Sequence, residues 1–168
     1  MRPVFLFLLC CAACTASDPE PPVQTSGFEP DAARSGARLW IEADTRQLTL
    51  WAAELGNVLG VAAHVTIDTS HLTPGAGTAH DALGADALTV FEAVAPGDFT
   101  LGTARRGLEA GEVAIDAATE LAVIPFEIVR AGEVRLAPSR VMVRRADGSY
   151  VPTAALGGTL RIAEGDAP

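Results

Sequence analysis

The strongest constraint on the fold of this chain is an alternation of apolar and other residues with a period of two. It is clearest in residues 60–68, where every second position is apolar: Val61, Ala63, Val65 and Ile67. Successive side chains of a β-strand point to opposite faces, so this pattern predicts a strand with one buried face. The positions between them, on the opposite face, are Ala62, His64, Thr66 and Asp68.

Further alternating segments recur along the chain, separated by turn-forming residues. They are residues 38–44, 47–54, 87–94, 111–116, 121–130, 133–136, 141–145 and 159–162. Residues 81–83 and 103–109 could each form one helical turn, but no segment keeps a helical apolar spacing over three turns. About nine short strands therefore predict an all-β fold, a two-sheet antiparallel β-sandwich of the jelly-roll type.

Charge excludes one class of partner. The 168 residues include 21 acidic and 12 basic side chains, for a net charge of −9, and all twelve basic residues are Arg. A chain this acidic lacks the positive surface that binding to a phosphate backbone requires, so we expect no nucleic-acid partner.

The N-terminal residues have the features of an export signal. Arg2 precedes an apolar run over residues 4–9, and Ala12 and Ala13 stand directly before Cys14. This arrangement resembles the lipobox of bacterial lipoproteins, although Cys11 stands where Leu or Val is commoner. The resemblance implies a signal peptide over residues 1–13 and a diacylglycerol and a further acyl chain such as palmitate on Cys14. An ordinary signal peptide cleaved nearby is the alternative.

The same resemblance implies a location. In enteric lipoproteins an Asp directly after the cysteine favours retention in the inner membrane. This chain has Thr15 at that position instead. We therefore expect a lipid-anchored protein of the bacterial cell envelope, on the outer membrane, at its periplasmic side or at the cell surface. The membrane would be contacted only through the N-terminal lipid.

Composition divides the remainder of the chain. Residues 14–36 are rich in Pro, Ser, Gly and acidic residues and predict a flexible tether. Residues 37–164 form the predicted sandwich and residues 165–168 a disordered tail. All three cysteines, Cys10, Cys11 and Cys14, precede the sandwich, so it can use neither disulfides nor thiol chemistry.

Six segments in order resemble the cohesin domain and its relatives among the carbohydrate-binding-module-like β-sandwiches. They are residues 47–58, 60–72, 88–99, 111–115, 120–128 and 158–162. Residues 73–87 look like an inserted surface loop. The resemblance implies a module without enzymatic activity or cofactor, for adhesion or assembly, which recognises a protein partner at the envelope through an exposed sheet face. On the alternation described above, the residues predicted for that face are His64, Thr66, Asp68, Glu112 and Asp116.

A carbohydrate-binding module that recognises polysaccharide is the alternative function. Exposed aromatic rings stack on sugar rings, and Trp40, Trp51 and Tyr150 are the candidates. Trp40 alternates with the apolar Leu39 and Ile41, so it faces away from them. The competing interpretation is that both tryptophans shield the core or cover a sheet edge.

Catalytic and metal-binding patterns are weak. No G-x-S-x-G motif surrounds a serine, and we expect no catalytic residue. His64, His71 and His80, with Asp68, Asp81 and Asp86 nearby, match no metal-ligand spacing, so we expect solvated side chains and no metal site. Four arginines near the C-terminal strands suggest either a docking patch for carboxylates or pairing within the chain: Arg135, Arg140, Arg144 and Arg145.

Overall fold

The computed structural model describes residues 26–32, 35–107 and 111–167. The predicted signal peptide and Cys14 lie outside these residues. Within them the chain forms fifteen strands: β1 (Gly27–Pro30), β2 (Arg38–Ala43), β3 (Gln47–Ala53), β4 (Gly56–Val58), β5 (Gly60–Thr66), β6 (Leu72–Pro74), β7 (Thr78–Ala79), β8 (Ala87–Ala95), β9 (Asp98–Arg105), β10 (Val113–Ile115), β11 (Thr119–Ile128), β12 (Gly132–Leu136), β13 (Pro138–Arg144), β14 (Ala154–Leu156) and β15 (Gly158–Ile162). A short 3-10 helix, Glu164–Asp166, follows β15 at the start of the predicted tail.

Two sheets enclose the core, which confirms the predicted sandwich. The large sheet has the strand order β14-β2-β3-β11-β6, with β7 also paired to β11. The four-stranded sheet has the order β13-β5-β9-β8. Neighbouring strands are antiparallel except for β14, which runs parallel to β2. Two smaller sheets, β1-β15-β12 and β4-β10, complete the described strands.

The alternation predicted for β5 is confirmed by the burial of its side chains. Val61, Ala63 and Val65 are 2–3% exposed and join a core cluster with residues of the large sheet such as Leu50 and Ile124. Fully burying a Val or Leu side chain contributes about 1.5–3 kcal/mol, so this shared core stabilises the sandwich. None of the described residues forms a helix long and apolar enough to cross a membrane.

Strand β9 is a central strand that the sequence did not reveal. Phe99, Leu101 and Thr103 point inward from it, and the Thr103 hydroxyl lies 2.9 Å from the Thr89 hydroxyl of β8. Gly102 interrupts the strand sequence, and a buried Thr does not register as an apolar position. The hydroxyl pair satisfies both groups, which explains how a polar residue is tolerated there.

Residues assigned to the tether form a strand. Gly27–Pro30 pairs antiparallel with β15. Just beyond it, Asp31 accepts hydrogen bonds from both terminal nitrogens of Arg135, at 2.7 and 2.5 Å, and one from the backbone N–H of Gly157. This guanidinium contact also raises the pKa of Arg135. Short polar sequences such as this one form strands only through such partners, which lie more than 100 residues away.

The segment interpreted as an inserted loop, residues 73–87, also contributes to a sheet. It holds the end of β6 and all of β7, and both strands pair with β11 in the large sheet. Residues 75–77 and 80–86 of this segment lie outside strands. Two- and three-residue strands are too short to show a period in the sequence.

Candidate functional site

The outer face of the four-stranded sheet is formed by the residues that alternate with the buried positions of its strands. Across the sheet, the register aligns Met142 of β13 with Ala62, Gly102 and Val90, in strand order. The next row toward the ends of these strands consists of Arg144, Gly60, Ala104 and Leu88. We call these two rows the apolar trough.

The apolar trough has a floor of small residues between two raised edges. Gly60, Ala62, Gly102 and Ala104 form the floor on the two central strands, and the depression encloses about 310 Å³. Leu88 and Val90 on one edge are 55% and 48% exposed, and Met142 on the other edge is 50% exposed. Aliphatic side chains gathered in this way on a monomer's surface mark an interaction site more often than isolated ones do.

The other half of this face is polar. His64 Nδ1 lies 3.2 Å from Asp98 Oδ1, and the Thr66 hydroxyl lies 3.4 Å from the same oxygen. Register places Thr100 of β9 beside His64 and Glu92 of β8 beside Thr100, in the same row. On β13 the row continues to Ser139, and a bulge between Ser139 and Met142 separates it from the apolar trough. The face therefore changes from apolar to polar along the strands.

The five residues predicted for partner binding are divided between different surfaces. His64 and Thr66 lie on the polar half of the outer face. Asp68 lies beyond the end of β5, in the turn before β6. Glu112 accepts a hydrogen bond from the backbone of Ala146, and Asp116 follows β10. Glu112 and Asp116 thus flank β10 of the small β4-β10 sheet. The prediction grouped them with His64 because alternation along a strand cannot show which strands are neighbours.

The turn after β5 brings a serine, a histidine and an aspartate together. Asp68 Oδ1 accepts hydrogen bonds from the backbone and hydroxyl of Ser70, and these bonds lower the pKa of Asp68. The Ser70 hydroxyl and Asp68 Oδ2 both approach Nδ1 of His71, at 2.9 and 3.4 Å. A catalytic triad needs these groups on opposite ring nitrogens, so this cluster is not arranged as a proton relay.

Each of the three histidines contacts a different carboxylate. His80 Nε2 lies 2.8 Å from Glu120 Oε1, on the large sheet, while the other two contact Asp98 and Asp68. No group of three or more potential metal ligands occurs among the described residues. Asp81 and Asp86 are exposed and lie in the segment between β7 and β8.

The two tryptophans are opposite each other on the outer face of the large sheet. Trp40 and Trp51 are register partners, and their rings stack with centroids 6.1 Å apart and planes 15° apart. The Arg38 guanidinium lies over the Trp40 ring, and Trp40 Nε1 donates to Glu42. Both rings are therefore engaged by neighbours within the chain.

Tyr150 lies apart from the tryptophan pair. It is 58% exposed and forms an isolated bridge with Arg144, at the edge of the four-stranded sheet. The three aromatic residues proposed to bind sugar thus occupy two sheets. The C-terminal arginines are also dispersed, since Arg135 pairs with Asp31 and Arg144 borders the apolar trough.

Sequence reasoning missed most of the apolar trough. The alternation of Leu88 and Val90 with the half-buried Thr89 and Phe91 was a usable signal in β8. Gly102 and Ala104 gave no signal, because β9 was not recognised as a strand. Small residues become informative only when the register shows that they share one surface.

Comparison by sequence gives no match, either with protein-family models or at a significant level with curated proteins. Comparison by structure gives matches to cohesin modules. A non-cellulosomal cohesin from Archaeoglobus fulgidus is 14% identical, with a TM-score of 0.62, and the alignment covers 79% of this chain and 94% of that one. The described fold is thus cohesin-like.

Two further structures extend the comparison. A type I cohesin–dockerin complex from Clostridium thermocellum matches at 10% identity and a TM-score of 0.61, covering 77% of this chain and 96% of the matched chain. A cohesin module of a family 33 glycoside hydrolase from Clostridium perfringens matches at 12% identity and a TM-score of 0.56, covering 82% and 96%. At these identities the comparison establishes the fold alone.

Proposed function

We propose that this chain is a protein-interaction module whose partner docks on the outer face of its four-stranded sheet. The observation that carries the proposal is the apolar trough: a floor of four Gly and Ala residues between exposed aliphatic edges. Water gains access to these aliphatic groups in the free protein, and a docked partner would remove them from water. Each Å² of apolar surface so buried favours binding by about 25 cal/mol before the costs of association.

The shape of the trough favours a helical partner. Strands in a sheet are about 4.8 Å apart, so β8 and β13 are separated by about 14 Å. An α-helix with its side chains is about 10–12 Å wide, and it fits between these edges when it lies along the strands. Gly60 and Gly102 carry no side chain on the floor, which allows the helix backbone a close approach.

The polar half gives such a partner a direction. The Arg144 guanidinium borders one end of the face, while Glu92, His64 and Asp98 occupy the other. A helix with an acidic residue near Arg144 and a basic residue near Asp98 would be favoured over the reverse orientation. The dockerin of the Clostridium thermocellum complex supports the choice of a protein partner.

A matched pair of variants tests this proposal. Ala104 on the trough floor and Ala114 on β10 are both exposed alanines in strands. The purified wild-type chain, Ala104→Arg and Ala114→Arg would each be immobilised and used to capture proteins from the cells that produce the chain. We expect a protein captured by the wild type and by Ala114→Arg to be reduced at least tenfold with Ala104→Arg.

Thermal unfolding of all three proteins controls for folding, because both substitutions are at exposed positions. Equal capture by Ala104→Arg and Ala114→Arg, with equal unfolding temperatures, would contradict docking on the trough.

We propose further that the module is lipid-anchored through Cys14 to the cell envelope. The support is the sequence Ala12-Ala13-Cys14 after an apolar run. Several acyl chains on one N-terminus give stable attachment without a spanning helix. Metabolic labelling with a palmitate analogue should label the wild type and not Cys14→Ser. Equal labelling of the two proteins would overturn the anchor without affecting the docking proposal.

A further inference from the structure

The two edges of the four-stranded sheet differ in how their backbone groups are satisfied. Along β13, the Val151 N–H donates to the Val143 carbonyl at 2.9 Å, and Arg144 and Tyr150 form a bridge. The chain therefore covers this edge itself. Along the outer edge of β8, one backbone hydrogen bond is found among the described residues, from Ala87 at the first position to Gly84.

The register identifies which groups of β8 are unpaired. Two bonds flank the β5–β9 ladder, from Arg105 N–H to the Leu59 carbonyl and from Ile67 N–H to the Gly97 carbonyl. They show that odd-numbered residues of β9 bond to β5, so even-numbered residues bond to β8. In β8 the backbone N–H and C=O groups of the even-numbered residues point to β9. The N–H and C=O groups of Thr89, Phe91 and Ala93 consequently point away from the sheet.

The side chains of β8 give this edge little protection. Natural edge strands are usually short, charged, interrupted by Pro or covered. Strand β8 has nine residues, of which Glu92 is the one charged residue, and it contains no Pro. Leu88, Val90 and Val94 are about half exposed, and a bulge at Val94 disturbs the strand only near its end.

We propose that β8 pairs antiparallel with β8 of a second copy of this chain, which joins two four-stranded sheets into one of eight strands. The edge has no charge pattern that would select a different partner, and a copy supplies the same alternation of aliphatic side chains. A two-fold axis at Val90 places Val90 opposite its counterpart and Leu88 opposite Glu92. Like charges are then not opposite each other, and the pairing lies clear of the bulge.

Cysteine crosslinking tests this arrangement directly, because all three natural cysteines lie in the first fourteen residues. In the full chain with Cys10, Cys11 and Cys14 replaced by Ser, Val90→Cys should form a disulfide-linked dimer on mild oxidation. Ala62→Cys, on the same face but on β5, should remain monomeric. Crosslinking of Ala62→Cys equal to or above that of Val90→Cys would overturn edge pairing.

A proline variant gives a second test that does not depend on oxidation. Ala93 is exposed, and its N–H points to the free edge, so Ala93→Pro removes no hydrogen bond to β9. In analytical ultracentrifugation we expect the cysteine-free chain to dimerise. We expect Ala93→Pro to raise the dissociation constant of the dimer at least tenfold. A monomeric parent chain, or an unchanged constant in Ala93→Pro with its unfolding temperature preserved, would refute the proposal.

This inference does not depend on the proposed function, although Leu88 and Val90 serve both. Ala93→Pro leaves the trough floor intact, so it should weaken the dimer at least tenfold and retain partner capture. Ala104→Arg should have the opposite effects.

Discussion

The outer faces of the two sheets use their side chains in different ways. On the large sheet, Trp40 stacks on Trp51 and Arg38 lies over Trp40 while also pairing with Glu54. On the four-stranded sheet, the trough has no such contacts among its aliphatic residues, and half of the surface of Leu88, Val90 and Met142 is exposed. On the first face the rings are in contact with neighbours of the same chain, and on the second the aliphatic side chains remain exposed.

This difference matters more for function than the residue types do. The large sheet carries Trp40 and Trp51, two of the three aromatic residues that suggest sugar binding, yet their rings already contact each other. The four-stranded face carries Gly, Ala and aliphatic residues, which suggest nothing singly. A side chain is available for binding when it remains exposed and without a contact partner in the folded protein, whatever its residue type.

The largest predicted effect is a difference in stability loss between substitutions on the inner and outer sides of the four-stranded sheet. Leu101 of β9 is 1% exposed, so Leu101→Ala should lower the free energy of unfolding by about 2–5 kcal/mol. Val90→Ala on the outer side should lower it by less than about 1 kcal/mol. Urea denaturation measures both values, and similar losses would mean that the trough is part of the stabilising core.

A smaller effect is predicted for the tryptophan pair. In a double-mutant cycle of Trp40→Leu and Trp51→Leu, we expect a coupling free energy of about 0.5–1.5 kcal/mol, because the rings stack. Partner capture should be unchanged in all three variants. Additive losses of stability would show that the stack contributes nothing, and loss of capture would move the docking surface to the large sheet.

The ion pair between Asp31 and Arg135, next to β1, should contribute less to stability. Arg135 is more than half exposed, and exposed ion pairs contribute about 1 kcal/mol or less. Asp31→Ala removes the acceptor of both guanidinium bonds and of Gly157 N–H. We expect faster hydrogen exchange in β1 and unchanged exchange in β5 and β9, measured by mass spectrometry. Faster exchange in every sheet would contradict a local role.

The smallest effect concerns the acid behaviour of Glu54 on the large-sheet side. The hydrogen bond from Arg38, with one from Gly36 N–H, lowers the pKa of Glu54 below its ordinary value. Because the folded-state pKa is lowered, the pair stabilises the fold above the ordinary pKa, and the contribution is lost as pH falls through the lowered one. Arg38→Gln should raise the pKa of Glu54 in an NMR titration; an unchanged value would exclude Arg38 as the cause.

Much of the fold could be predicted, because burial imposes a period of two wherever a strand is long enough. The strands around Val61, Leu50 and Ile124 were recognised in this way, as was the outward position of His64. The missed strands have identifiable reasons. Strand β9 contains Gly102 and an inward Thr103, and β1, β4, β6, β7 and β14 have four residues or fewer.

The candidate site could be predicted only in part. The alternation predicts correctly that His64 and Thr66 point to the outer side of β5. It also groups Glu112 and Asp116 with them, although these two residues lie beside a different sheet. The pairing of β13 with β5 joins residues about 75 positions apart, such as Ser139 and His64. No local pattern contains that information.

The sequence by itself determined which side is buried in the strands that alternate clearly, such as β5, because apolar side chains leave water wherever the chain lies. It also determined the acidic charge and the cysteine-free body. Only the tertiary structure decided which outward residues share a surface, since that depends on strand order and register between distant segments. The apolar trough and the free edge of β8 exist for that reason: four separate strands had to align before small residues formed a floor and β8 was left paired on one side only, with β9.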